Sequence, residues 1–193
     1  MGSPEPARKA LRPLLNPPAG FDDPLEMLFG CHRRIEKQLE TLKRLRAHLQ
    51  SKGIDAEAST AAEAVLRYFR KAVVDHHEDE EQDVFPLLEE RIDDAGEKAR
   101  FRELRARLEG EHRKLEEAWA RVRKPLEGIA EGLMRTLAEA DVNALAEAYQ
   151  GHIGIEEQTL RELFRFLDAR DMEALGRSMA ARRSVPYPPV KGA

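Results

Sequence analysis

Residues 62–88 carry apolar side chains at helical spacing (Ala62, Val65, Leu66, Phe69, Val73, Val84, Leu87, Leu88), and within that stripe His76 and Glu80 stand where apolar residues are due. Residues four apart share a helix face, so this imidazole and this carboxylate point together into whatever core the stripe covers. Burying such groups is costly unless they are paired or bound to a cation. A fold for this chain must therefore bring compensating groups to the same level.

The chain contains them. His152 and Glu156 repeat the spacing on a stripe that includes Leu145, Ala148, Tyr149, Ile155, Leu160 and Leu163. His32 falls on a stripe running from Leu25 and Leu28 through Ile35 and Leu39 to Leu49, and His112 on one running from Phe101 through Leu108 and Leu115 to Val122. His77 adjoins His76, so five of the six histidines are involved, and His48 alone is expected to be a solvated surface residue.

Capping and breaking residues divide the stripes. Asp22, Asp23 and Pro24 start a first helix over about 24–50. Ser59 or Thr60 caps a second that ends by Asp93, with Pro86 bending or tightening its last turns. A third starts near Glu97 and kinks or ends at Pro125, a weaker helical stretch covers about 126–139, and Asp141 or Asn143 caps a fourth. The residues are 35% charged and 41% hydrophobic, with few β-branched side chains, a helix-forming composition. The predicted fold is all-α, an antiparallel up-down four-helix bundle with N- and C-terminal extensions. Its expected parts are a proline-rich arm at 1–21, the bundle domain at 22–170, and a short helix with a proline-rich tail at 171–193. With a rise of about 1.5 Å per residue, His32, His76, Glu80, His112, His152 and Glu156 all fall between about 12 and 24 Å along such a bundle, in one slab.

Four imidazoles and two carboxylates without a thiolate suit iron first, then manganese or zinc. Two glutamates on opposing helices can each bridge two metals, leaving open positions for an oxide or hydroxide bridge and for a small molecule. Spacing alone does not choose the ligands, because His32 with Glu36 and His112 with Glu116 also stand four apart, and four equivalent pairs cannot all coordinate. A ferritin-like Glu-x-x-His pattern occurs once, Glu109 to His112, whereas that arrangement needs it twice.

A net charge of -4 with interspersed signs provides no footprint for nucleic acid or an anionic membrane. One cysteine forms no internal disulfide, and no apolar run reaches membrane-spanning or signal length, so the expected location is cytoplasmic. Cys31 points about 100° away from His32 around the helix and is expected to be a small buried hydrophobe.

The run His76-His77-x-x-Glu80-Glu81-x-x-Val84-Phe85-Pro86, the pair Glu111-His112, the run His152-Ile153-x-x-Glu156-Glu157 and the first-helix His32 together resemble the hemerythrin-like HHE cation-binding domain over about residues 22–170. The resemblance implies a non-heme di-iron centre, oxo- or hydroxo-bridged. Its implied ligands are His32, His76, Glu80, His112, His152 and Glu156, with Glu80 and Glu156 as bridges. It leaves His77, Glu81, Glu36 and Glu116 as additional candidates, of which His77 and Glu81 are expected beside the ligands rather than among them.

The implied small ligands are O2, NO or peroxide, bound, sensed or reacted with. A di-iron oxidoreductase of peroxidase, NO reductase or iron-sulfur repair type, and a metal-stabilised interaction module, are the alternatives. Oxygen carriers of this fold place a second histidine one turn after the third-helix ligand, where this chain has Glu116, which argues against a dedicated carrier. Repair proteins usually carry a cysteine-bearing N-terminal domain, and residues 1–20 have no cysteine.

Overall fold

The computed structural model describes residues 20–187. Nearly all of the expected N-terminal arm, and Pro188 and Pro189 of the tail, lie outside the described residues. Within them the chain is helical, with no strand. Helix α1 (Pro24–Lys52) is capped by Asp23, whose carboxylate accepts from the Glu26 N–H, and it stops at Gly53, whose φ of 79° lies in the region that favours glycine.

A second, continuous helical path follows. It comprises α2 (Ala56–Tyr68), a π-helical turn (Phe69–Val73), α3 (Val74–Glu78), a second π-helical turn (Asp79–Val84) and α4 (Phe85–Arg91). The cap is Asp55, accepting from the Ala58 N–H, rather than Ser59 or Thr60; Ser59 instead donates to the Ile129 carbonyl. Pro86 does not tighten the helix. Its ring has no N–H to donate and crowds the carbonyl four residues back, and the wide turn immediately before it accommodates both facts.

Helix α5 (Ala95–Ala130) is capped by Asp94 and carries Pro125 in its interior, so it neither ends nor breaks there. The expected helical stretch at 126–139 is helical only to Ala130. Helix α6 (Glu139–Leu163) begins before Asp141 and Asn143, and neither of them caps it. After a 3-10 turn (Phe164–Phe166), α7 (Ala169–Arg182) starts in a capping box built by Asp168 and Asp171. Gly176 lets α7 lie against the chain at Phe21, whose carbonyl oxygen would sit 1.9 Å from an added Cβ.

Helix α1 packs against α2 and α6, and α5 against the same two. Their buried apolar residues form two clusters. One holds Ile35, Val73, Leu115, Tyr149 and Ile153; the other holds Leu28, Val84, Phe85, Leu108 and Leu160. All four long helical paths pass from one cluster to the other, α1 and α5 in one sense, α2–α4 and α6 in the opposite sense. The layer between the clusters is polar.

Candidate metal centre

His32 lies between Leu28 and Ile35, His76 and Glu80 between Val73 and Val84, His112 between Leu108 and Leu115, and Glu156 between Ile153 and Leu160. The helical stripes that bury the two apolar clusters thus force these side chains into the layer that divides them. His32, His76, Glu80, His112, His152 and Glu156 are all buried, Glu80 and Glu156 completely.

Within the polar layer the donor atoms gather in two groups; a third trio, the partly exposed His48 with the exposed Asp55 and Glu57, lies outside it. His32, His76, Glu80 and Glu156 offer atoms all within 4.8 Å of one another, and so do His77, His112 and His152. The two glutamates join the groups. Glu80 Oε1 lies 3.3 Å from His76 Nε2 and Glu80 Oε2 lies 3.4 Å from His112 Nε2. Glu156 Oε2 lies 3.2 Å from His32 Nε2 and 3.3 Å from His152 Nε2, and Glu156 Oε1 lies 3.8 Å from His112 Nε2. The Nε2 atoms of His112 and His152 are 3.1 Å apart.

Among the described residues, His32 Nε2, His76 Nδ1, His77 Nε2 and all four carboxylate oxygens of Glu80 and Glu156 are buried without a hydrogen-bond partner. That is an unusual concentration of unsatisfied polar atoms for a protein interior. A metal ion accounts for it. Ligands at right angles about 2.1 Å from a shared ion lie about 3.0 Å apart, close to the separations here. The imidazole and carboxylate donors fit such an ion by chemistry as well.

The outer nitrogens of three histidines are held by glutamates. His32 Nδ1 is 3.1 Å from Glu157, His112 Nδ1 is 2.6 Å from Glu81, and His152 Nδ1 is 3.1 Å from Glu111. A carboxylate on Nδ1 fixes the ring's orientation and leaves Nε2 as the lone-pair donor, the support metal-binding histidines commonly have. The sequence reading names Glu111 and Glu157 only as members of the family-like runs and gives them no role, although each adjoins a candidate ligand. Glu36 and Glu116 are exposed and belong to neither donor group.

Burial sets the protonation states. It drives His76 and His77 well below the usual imidazole range, so both rings are neutral, and it lowers His152 too. Burial opposes charge on His112 as well, but there Glu156 and Glu80 prevail and push it up to about 11. Burial, reinforced by the nearby Glu156, pushes Glu80 up to about 8. Glu156 also feels burial, yet the imidazoles of His112 and His32 beside it hold it well below the usual carboxylate range. Without an ion, the layer is a carboxylate pair sharing charge with surrounding imidazoles.

A cleft of about 400 Å³ reaches His77 and His112 from the surface, walled by Val73, Glu81, Trp119 and Tyr149. A depression of about 520 Å³ between α1 and α6, where Glu36 lies beside Lys43 and Asn143, touches none of the clustered donors, so the smaller cleft is the one relevant to the centre. Two further residues lie apart. Cys31 is buried outside both donor groups, its thiol pushed up chiefly by burial. His48, expected in solvent, is only partly exposed and sits 2.9 Å from Asp55, the cap of α2.

No helix of the described residues is long and apolar enough to cross a membrane. The family model described as "Hemerythrin HHE cation binding domain" matches residues 23–164. An uncharacterized protein of Haemophilus influenzae is similar to this chain, 28% identical over 174 residues that cover 86% of this chain and 94% of the relative.

Proposed function

Because the chain belongs to the hemerythrin HHE cation-binding domain family, we propose that it is a non-heme di-iron protein whose centre binds, senses or reacts with O2, NO or peroxide. In this reading residues 22–170 form an antiparallel up-down four-helix bundle, the opposite senses in which successive helices connect the two apolar clusters being its support. His32, His76, His112 and His152 would each hold one ion, and Glu80 and Glu156 would hold both. The observation that carries the reading is the set of partnerless oxygens on Glu80 and Glu156, enclosed by imidazoles.

The bound ions would supply Lewis acidity and one-electron chemistry to a small ligand. The chain's own residues do the rest. Glu157, Glu81 and Glu111 orient three of the imidazoles, and the apolar clusters above and below exclude bulk water. The reading places the protein in the cytoplasm, supported by its single cysteine. Metal analysis of protein purified without added metal, followed by ultraviolet-visible spectra of the anaerobic iron-loaded form exposed to air and to NO, tests the proposal. Two irons per chain with new near-ultraviolet absorption are expected. Zinc alone, or an unchanging spectrum, would refute it.

The cleft beside His77 and His112 favours a second reading, an oxidoreductase. Its volume of about 400 Å³ lies in the range of small-molecule sites, with Trp119 and Tyr149 as an apolar wall. Sustained turnover of peroxide or NO with a reductant would select the enzyme over the reversible sensor.

A further inference from the structure

His77 is the one residue of the donor groups that lies outside the six-ligand set. We propose that it coordinates the second metal ion as its third imidazole, beside His112 and His152, so that one helix supplies a histidine to each half of the centre. The inference rests on the dinuclear reading above.

Helix geometry permits this. At about 100° per residue, His77 sits about 100° around the helix from His76, and Glu80 falls about 40° around, between the two. A helix with His76 turned toward α1 therefore turns His77 toward α5 and points Glu80 at the space between. The rings are placed accordingly. His76 meets His32 of α1 with centroids 4.8 Å apart, and His77 stacks on His112 of α5 at 4.0 Å with the planes 11° apart. On the far side His77 meets His152 edge-on at 6.3 Å.

The inner nitrogen gives the decisive detail. His77 Nε2 is buried and has no hydrogen-bond partner, while the residue offers a donor atom within 4.8 Å of those of His112 and His152. A buried imidazole nitrogen with no partner is unfavourable in an ordinary core. It is accounted for when it faces a cation already held by its neighbours. π-helical turns flank the segment on both sides, Phe69–Val73 and Asp79–Val84. Such turns reset the helix phase locally, which lets adjacent residues serve two sites while the stripe continues into both apolar clusters. The position one turn after His112 holds Glu116, which is exposed. The third imidazole comes from another helix.

The test is titration of Co2+ into metal-stripped full-length protein, with stoichiometry and visible absorption recorded for wild type, His77→Ala and His77→Gln. Wild type should take up two ions per chain. Both variants should keep one step and weaken the other by at least about tenfold, with a changed ligand-field spectrum. Because the cleft opens onto position 77, added imidazole should restore the weakened step in His77→Ala and not in His77→Gln. Two unaltered steps in the variants would overturn the assignment while leaving the dinuclear centre standing. So would a loss of metal that accompanies a lowered metal-free thermal midpoint and resists imidazole, since His77 would then be structural. Wild-type protein that takes up no Co2+ would defeat the dinuclear reading itself, and this inference with it.

Discussion

Glu81 Oε1 lies 2.6 Å from His112 Nδ1, on the opposite side of the ring from the Nε2 that faces Glu80 and Glu156. Glu81 stands in the second π-helical turn and His112 in α5, so this contact fixes the imidazole across the junction between those elements and makes its inner nitrogen the donor. Glu81→Gln retains the volume and removes the charge. It should weaken metal binding by about 10- to 100-fold at the ion held by His112 while leaving the His32 side nearly unchanged. Stepwise metal titration checks this, and equal weakening of both steps would show that Glu81 acts on the fold rather than on His112.

A second prediction concerns α7, which lies beyond the residues matched to the family. Arg182 and Arg183 both bind Asp79, the fully buried neighbour of Glu80; Arg183 Nη2 reaches it at 2.6 Å, and Arg182 also reaches Asp83 at 2.8 Å. Burial pushes Asp79 upward and the two guanidinium groups, Arg183 foremost, oppose it. Removing both arginines leaves a buried carboxylate unpaired, and Arg182→Ala/Arg183→Ala should destabilise the protein by about 3 kcal/mol. Adding Asp79→Asn should recover part of that loss. Thermal midpoints of the metal-loaded forms decide it, and independence of the Asp79 and arginine substitutions would refute the energetic pairing.

The all-helical fold and the polar layer were legible because both rest on one signal, polar residues at helical spacing within apolar stripes. His76 with Glu80 and His152 with Glu156 are cases where local pattern and burial agree. Boundaries were less legible. Asp55 and not Ser59 caps α2, and Pro125 sits inside α5, because both choices depend on neighbours that only packing supplies. Two of the three outer glutamates were given no role for the same reason. Glu157 and Glu111 find histidines on other helices, α1 and α6, which no spacing within one helix announces. His77 was expected beside the ligands, but no spacing within one helix announces that its ring stacks on His112 of another.

His48 provides a control. It lies 2.9 Å from Asp55, whose carboxylate also caps α2. His48→Ala should leave metal content unchanged and lower stability by no more than about 1 kcal/mol, as an ion pair at the protein surface with one exposed partner allows. Asp55→Ala, which loses the cap as well, should cost about 1 kcal/mol or slightly more. Loss of metal from His48→Ala would mean that the centre has been placed at the wrong level of the bundle.

The last prediction is the pH dependence of the metal-free protein. Glu80 is pushed up to about 8, first by burial and then by Glu156, and His112 is pushed up to about 11 by Glu156 and Glu80 against its burial. In the unfolded chain both groups have released their protons by about pH 7. Between pH 6.5 and 8 the folded state therefore holds more protons than the unfolded state, and stability must fall as pH rises. His76 and His77 oppose this only weakly, because burial keeps them neutral when folded and an unfolded imidazole, half protonated at about pH 6.5, is largely neutral above about pH 7. Below about pH 6.5 their opposition grows, since the unfolded chain then gains their protons. Each extra proton contributes about 1.4 kcal/mol per pH unit, so the fall from pH 6.5 to 8 should be about 2 to 4 kcal/mol. Glu80→Gln removes the main carboxyl titration, and its metal-free form should lose less stability over the range. Metal and proton compete for Glu80, so metal uptake should release protons and tighten as pH rises toward 8. Thermal midpoints of metal-stripped wild type and Glu80→Gln at pH 6.5, 7.2 and 8 settle the matter: a flat or rising wild-type profile would mean that Glu80 is already ionised without metal.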